Sequence, residues 1–242
     1  MALVGLAGAV LSGLGDVLIL GRSCSGRDFD QAVGRVPPHI DPDNRWRSLW
    51  NGAALPVRRI HVGTFTGYVG IGLLQWLALR GISQTLETGP RRRVAAAAAT
   101  TFALSGIVTH QCCATVVLAY QAAKSDVSEP DSGARPAPRS STRLLALSAA
   151  ASLGALAVFS AGQTVAALRR RGSDPAWWRT VTPFPYVLTT LLTFGALPAP
   201  LGGYARPASI SIGLLTYFAL TAASRPGGVG GSTGGSRIGV RD

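Results

Sequence analysis

The charged residues of this chain are segregated from its apolar ones, and that partition limits the fold more than any motif does. Six runs carry almost no charge: Ala2–Leu20, Ile60–Leu79, Val94–Ala119, Leu144–Leu168, Phe184–Tyr204 and Pro207–Ala223. They hold 128 of the 242 residues and one formal charge, Asp16, while the other 33 of 34 charged residues fall in the remaining 114. A charge at the centre of a bilayer costs about 2.5–3.5 kcal/mol on the insertion scale. A helix needs about 20 mostly apolar residues to cross the hydrocarbon layer. The first four runs reach that length; Pro198 and Pro200 are expected to end the fifth helix near Leu197, and the sixth run is short at 17 residues. Soluble helices this long carry a charged face, and these do not. The expected fold is all-α: a polytopic membrane helix bundle of six transmembrane helices over residues 1–223. A Gly/Ser-rich tail at 224–242 is expected to be disordered.

The formal net charge of +12 does not call for a nucleic-acid partner. Basic residues flank the apolar runs, where anionic lipid headgroups account for them. Under alternating topology the two sides receive 12 and 11 basic residues, so the positive-inside rule leaves orientation nearly tied. The first run has no Lys or Arg before it and ends with Asp16, which reads as a retained helix rather than a cleaved signal. Trp46 and Trp50 with Arg45 and Arg47, and Trp177-Trp178 after Arg169-Arg170-Arg171, have the make-up of interfacial segments. The cysteines Cys24, Cys112 and Cys113 form no disulfide or chelating pattern, and no metal or cofactor motif is present.

Function is expected to gather at the few polar groups inside the runs. Asp16 lies four residues from the end of its run, on a stripe with Gly5, Gly8, Ser12 and Gly15. Small residues at that spacing let another helix approach closely, which turns Asp16 inward. The second run carries His61, Thr64, Tyr68, Gly72 and Gln75 at helical spacing, with Gly63 and Gly67 on the adjacent face. His110 lies deep in the third run, with Gly106 and Cys113 on its face. Alternating spans bring the end of the first, the start of the second and the ends of the third and fifth to one side. Asp16, His61, Tyr68 and His110 therefore form the candidate ligand site in one half of the membrane. The competing reading is structural: Asp16 pairs with Arg58, Arg59 or His61 near the interface, and His110 serves a neighbouring helix.

Several short segments carry a resemblance. Gly15-Asp16-Val17-Leu18-Ile19-Leu20 closes the first run. Asn44-Arg45 and Gly52-Ala53-Ala54-Leu55-Pro56 lead into the second. Gly106-Ile107-Val108-Thr109-His110 falls late in the third. Pro183-Phe184-Pro185 opens the fifth, and Leu197-Pro198-Ala199-Pro200-Leu201-Gly202-Gly203 closes it. In order and spacing these resemble an uncharacterised family of bacterial six-span membrane proteins, a domain of unknown function, across roughly residues 2–223. The resemblance implies the six-span count and implies no reaction.

The expected protein is thus a multi-pass protein of a bacterial cytoplasmic membrane, with the lipid bilayer as its partner and no nucleic acid. Its half-membrane polar cavity would bind a small amphipathic ligand or a proton. The alternatives are a membrane-embedded enzyme acting on a lipid-like substrate, with His110 or Asp16 as acid/base, and a purely structural or assembly subunit.

Overall fold

A computed structural model describes residues 1–21, 55–86, 88–126, 139–169, 182–195, 197 and 201–223. The regular elements among them are all helical: α1 (Ala2–Leu20), α2 (Val57–Ser83), α3 (Pro90–Asp126), α4 (Arg139–Arg169), α5 (Pro183–Gly195), α6 (Leu201–Ala205) and α7 (Ser209–Ala223). Cys24, both tryptophan pairs, Pro198-Ala199-Pro200 and the tail lie outside the described residues.

Four helices are long and apolar enough to cross a membrane: α1, α2, the Pro90–Ala119 stretch of α3 and the Arg143–Arg169 stretch of α4. The fifth and sixth runs differ from expectation. Their helices α5 and α7 are apolar, but they have only 13 and 15 residues. At 1.5 Å per residue they are about 20 and 22 Å long, short of the ~30 Å layer. The chain leaves α5 after Gly195 and places the short α6 before α7, so one apolar run becomes a helix and part of a corner.

Local sequence explains where the helices begin and continue. Gly89 sits at φ 129°, a conformation that side chains with a Cβ resist, and it delivers the chain to Pro90 at the first position of α3. The alanines that follow are the strongest helix formers. Pro183 opens α5 in the same way, and the Phe184 N–H donates to Ser160 Oγ on α4 at 3.0 Å. Arg59 closes α1 from outside: its Nη2 donates to the carbonyl oxygens of Val17 at 2.9 Å and Gly21 at 2.7 Å. A guanidinium there satisfies orphan carbonyls and meets the negative end of the helix dipole.

The helices close into a ring. Antiparallel neighbours run α1–α2–α3–α4, α4 also touches α5, α5 packs on α7, and α7 returns to α1. All six contribute to one core, which includes Ala9, Leu79, Phe102, Phe159, Val187, Tyr217 and Phe218. A second, smaller apolar cluster, Ile19, Leu20, Leu55, Ile60, Ala114, Val116 and Val117, lies toward the end where α1 finishes and α2 begins.

Along the α1–α2 seam backbone approaches backbone. A Cβ on Gly15 would stand 2.7 Å from the Gly63 carbonyl oxygen, and one on Gly70 would stand 2.5 Å from the Ser12 backbone nitrogen. The small-residue stripe of α1 and the Gly63/Gly67 pair of α2 are thus used as the sequence suggests. Within α2, Tyr68–Gln75 is π-helical. Its looser turn shifts the residues that follow onto a different face, and π segments of this kind recur at functional sites.

Two glycine variants test the seam. Gly70→Ala drives a Cβ into the α1 backbone and is expected to lower unfolding free energy by about 1–3 kcal/mol. Gly154→Ala, where an added Cβ meets nothing within 4 Å, is expected to be neutral or stabilising by up to about 1 kcal/mol. Reversible denaturant unfolding of the detergent-solubilised protein measures both; equal effects would refute the close-packed seam.

Candidate functional site

The one formal charge of the apolar runs is met by the deep histidine. His110 Nε2 of α3 lies 3.0 Å from Asp16 Oδ1 of α1, with side-chain exposures of 5% and 17%. Helix geometry makes the meeting possible. Asp16 is one turn from the end of α1, whereas α3 runs on to Asp126 well beyond His110. Gly67 of α2 clears the space, because a Cβ there would collide with the imidazole ring.

The other imidazole nitrogen fixes what the pair must hold. Nδ1 lies 3.2 Å from the Gly106 carbonyl oxygen, one turn back on α3. A carbonyl only accepts, so Nδ1 carries a hydrogen. Nε2 then faces the carboxylate. Without a further proton the two would meet lone pair to lone pair, which a buried site does not tolerate. With the hydrogen on Nδ1, a proton shared between the ring and the carboxyl group would remove that clash and leave the pair neutral overall. Nε2 makes this close contact without a straight hydrogen bond.

On its other side Asp16 ends a chain of donors. Ser211 Oγ of α7 donates to Asp16 Oδ2 at 2.8 Å. Ser12 and Ser211 hydroxyls are 2.9 Å apart, and Gln75 Nε2 of α2 donates to Ser12 Oγ at 2.7 Å. Ser211 gives its hydrogen to the carboxylate, so the single Ser12 hydrogen goes either to Ser211 Oγ or to the Ala9 carbonyl oxygen, 3.2 Å away. Charge-assisted hydrogen bonds of this type are stronger than neutral ones. The network ties α1, α2, α3 and α7 together at one level of the bundle. Beside it, α3 and α4 are joined by Ser105–Ser152 at 2.8 Å and Thr109–Ser148 at 2.9 Å.

Two of the four expected site residues meet there and two do not. Asp16 and His110 are in direct contact. His61 is exposed on the outer side of α2 and reaches neither. Tyr68 is half-buried and donates its hydroxyl to Gln111 Oε1 of α3, on the outer surface of the same helix pair. The expected polar stripe splits because His61, Tyr68 and Gln75 share a face only at 3.6 residues per turn, and the π stretch breaks that spacing. Gln75, which is not among the four expected site residues, is fully buried and belongs to the network. Arg59 is not the partner of Asp16, since its guanidinium serves the α1 carbonyls.

The sequence alone misses Ser211. Its signal is faint: Ser209 and Ser211 are polar positions at the start of an otherwise apolar helix, and both are buried. Among the described residues no group of three or more His, Cys, Asp or Glu side chains could hold a metal ion.

A double-mutant cycle measures the pair. Asp16→Ala and His110→Ala each leave a buried polar partner unmatched and are expected to cost about 3–5 kcal/mol. The double variant is expected to cost clearly less than the sum, with a coupling of about 0.5–3 kcal/mol. Additive losses in denaturant unfolding would mean that the contact carries no energy.

No curated protein and no solved structure matches this chain, so neither lends it an activity. One family does match. The sequence pattern of the family of unknown function DUF6796 covers residues 1–224, and the chain belongs to that family.

Proposed function

We propose that this is a multi-pass protein of a bacterial cytoplasmic membrane in which the Asp16–His110 pair binds and releases a proton. The outward faces support the membrane reading. Leu3, Phe65, Leu104, Leu147 and Leu192 are each at least 60% exposed, on five different helices. Apolar side chains exposed on five of the helices suit contact with lipid. In this reading α5 and α7 complete a six-helix body, their shortness compensated by local thinning of the bilayer or by the α6 corner.

The observation that carries the proton reading is the 3.0 Å approach of His110 Nε2 to Asp16 Oδ1 inside the bundle. The pair is neutral with one proton and charged without it, so its occupancy changes the electrostatics of the core by a full unit. That energy is large in an apolar surrounding. A proton is favoured over the amphipathic ligand because the ring of His110 packs directly on Gly67, and Ser12 and Gln75 are fully buried. Intramembrane ionisable groups that pair in this way mark proton relays in many membrane proteins.

Infrared titration of the protein in lipid tests the reading. A carboxyl or carboxylate band that changes with pH is expected in the native protein, lost in Asp16→Asn and moved to a different pH in His110→Gln. Native-like titration in Asp16→Asn would end the proposal. A variant that retains its helical circular dichroism spectrum but loses the band separates loss of proton binding from loss of fold.

A further inference from the structure

From the burial gradient along the network we infer that the pair exchanges its proton with one face of the membrane only, the face at which α1 ends. The protein would then read the pH of one compartment rather than carry protons across. The inference rests on the proton-binding reading of the Asp16–His110 pair and adds its sidedness.

Exposure falls steadily away from Asp16. Its side chain is 17% exposed. Ser211 is 2% exposed, and Ser12 and Gln75 are 0% exposed. Asp16 is also the member nearest an end. Four residues separate it from Leu20, about 6 Å of helix. In the other direction, Ala2–Leu11 contains no side chain able to relay a proton, and those ten residues span about 15 Å.

The donor chain itself stops at Gln75. Hydroxyls can pass a proton by receiving one and giving up another, but an amide N–H does not readily do so. Gln75 Oε1 is buried and has no hydrogen-bond partner among the described residues. Among the described residues no donor continues the chain beyond it. Toward the far end Ala78 and Leu79 of α2, Phe102 of α3 and Phe218 of α7 are each no more than 2% exposed, and the Trp76 indole N–H is used on Thr100 Oγ1 at 3.1 Å, apart from the chain. The polar pair beyond them, Gln163 Nε2 to Tyr217 Oη at 3.2 Å, belongs to α4 and the later turns of α7. The large core cluster lies between the site and the far face; the smaller cluster toward the near end, which includes Ile19, Leu20, Ile60 and Val117, still leaves the Asp16 side chain 17% exposed.

The charged and titratable groups around Asp16 all stand toward the near end. On α3 these are His110, in contact with the carboxylate, and Cys113, three residues further along the same helix. On α2 it is Arg59, held by the carbonyls of Val17 and Gly21. Ahead of α7 it is Arg206, which donates to the Leu197 carbonyl oxygen. The helical part of α7 presents the neutral Ser211.

Proteoliposomes of the full chain, separated by orientation through a C-terminal tag, provide the test. Only the external pH is stepped, and the Asp16 infrared band is followed before and after a proton ionophore is added. Vesicles with the end of α1 outward are expected to respond at once. Vesicles of the opposite orientation are expected to respond only after the ionophore, and a pH gradient across either is expected to decay no faster than across Asp16→Asn vesicles. Immediate response in both orientations, or Asp16-dependent collapse of the gradient, would overturn the one-sided site. No band change in either orientation even with ionophore would instead refute proton binding itself.

Discussion

A carboxylate enclosed by apolar helices must be neutralised by the protein, because neither water nor counterions reach it cheaply. Most of the arrangement around the centre of this bundle follows from that requirement for Asp16. The His110 ring stands at 3.0 Å, Ser211 supplies a donor at 2.8 Å, and Ser12 and Gln75 extend the network. His110, Ser211 and Gln75 come from three other helices, each of which has to stand at one height and one rotation relative to α1. The polar network therefore specifies register in a bundle whose apolar contacts alone would tolerate sliding.

Close packing and polar pairing depend on one another. The His110 ring fits only because Gly67 has no side chain, and α2 reaches α1 only because Gly15, Gly63 and Gly70 allow backbone to approach backbone. The π stretch Tyr68–Gln75 follows directly after Gly67 and ends on the glutamine that enters the network. Its unusual turn costs helical regularity, and it delivers Gln75 to Ser12. This is the pattern of local irregularity kept where a site needs it.

Much of the outline was legible from patterning. The inward face of Asp16, the small-residue seam and the nearness of Asp16 to His110 all follow from helical spacing and alternating direction. Three features were not legible. The stripe from His61 to Gln75 assumed a uniform 3.6-residue period, so it placed Gln75 on one face with His61 and Tyr68, which the π stretch separates from it. Pro198 and Pro200 did mark the end of the fifth helix, observed at Gly195, but apolar composition did not reveal the short helix α6 that splits the fifth run. Ser211 was silent because a serine in an apolar helix usually bonds to its own backbone, and only its position opposite Asp16 gives it a role.

By itself the sequence determined the helical class, four runs able to cross a membrane and the singular position of Asp16. The reason is that the energies involved, apolar transfer and the penalty on isolated charge, are read residue by residue. The tertiary structure decided which polar groups answer Asp16. That choice depends on rotation and depth of neighbouring helices to within about an ångström, and a single π-helical stretch was enough to move Gln75 into the site and leave His61 and Tyr68 outside it.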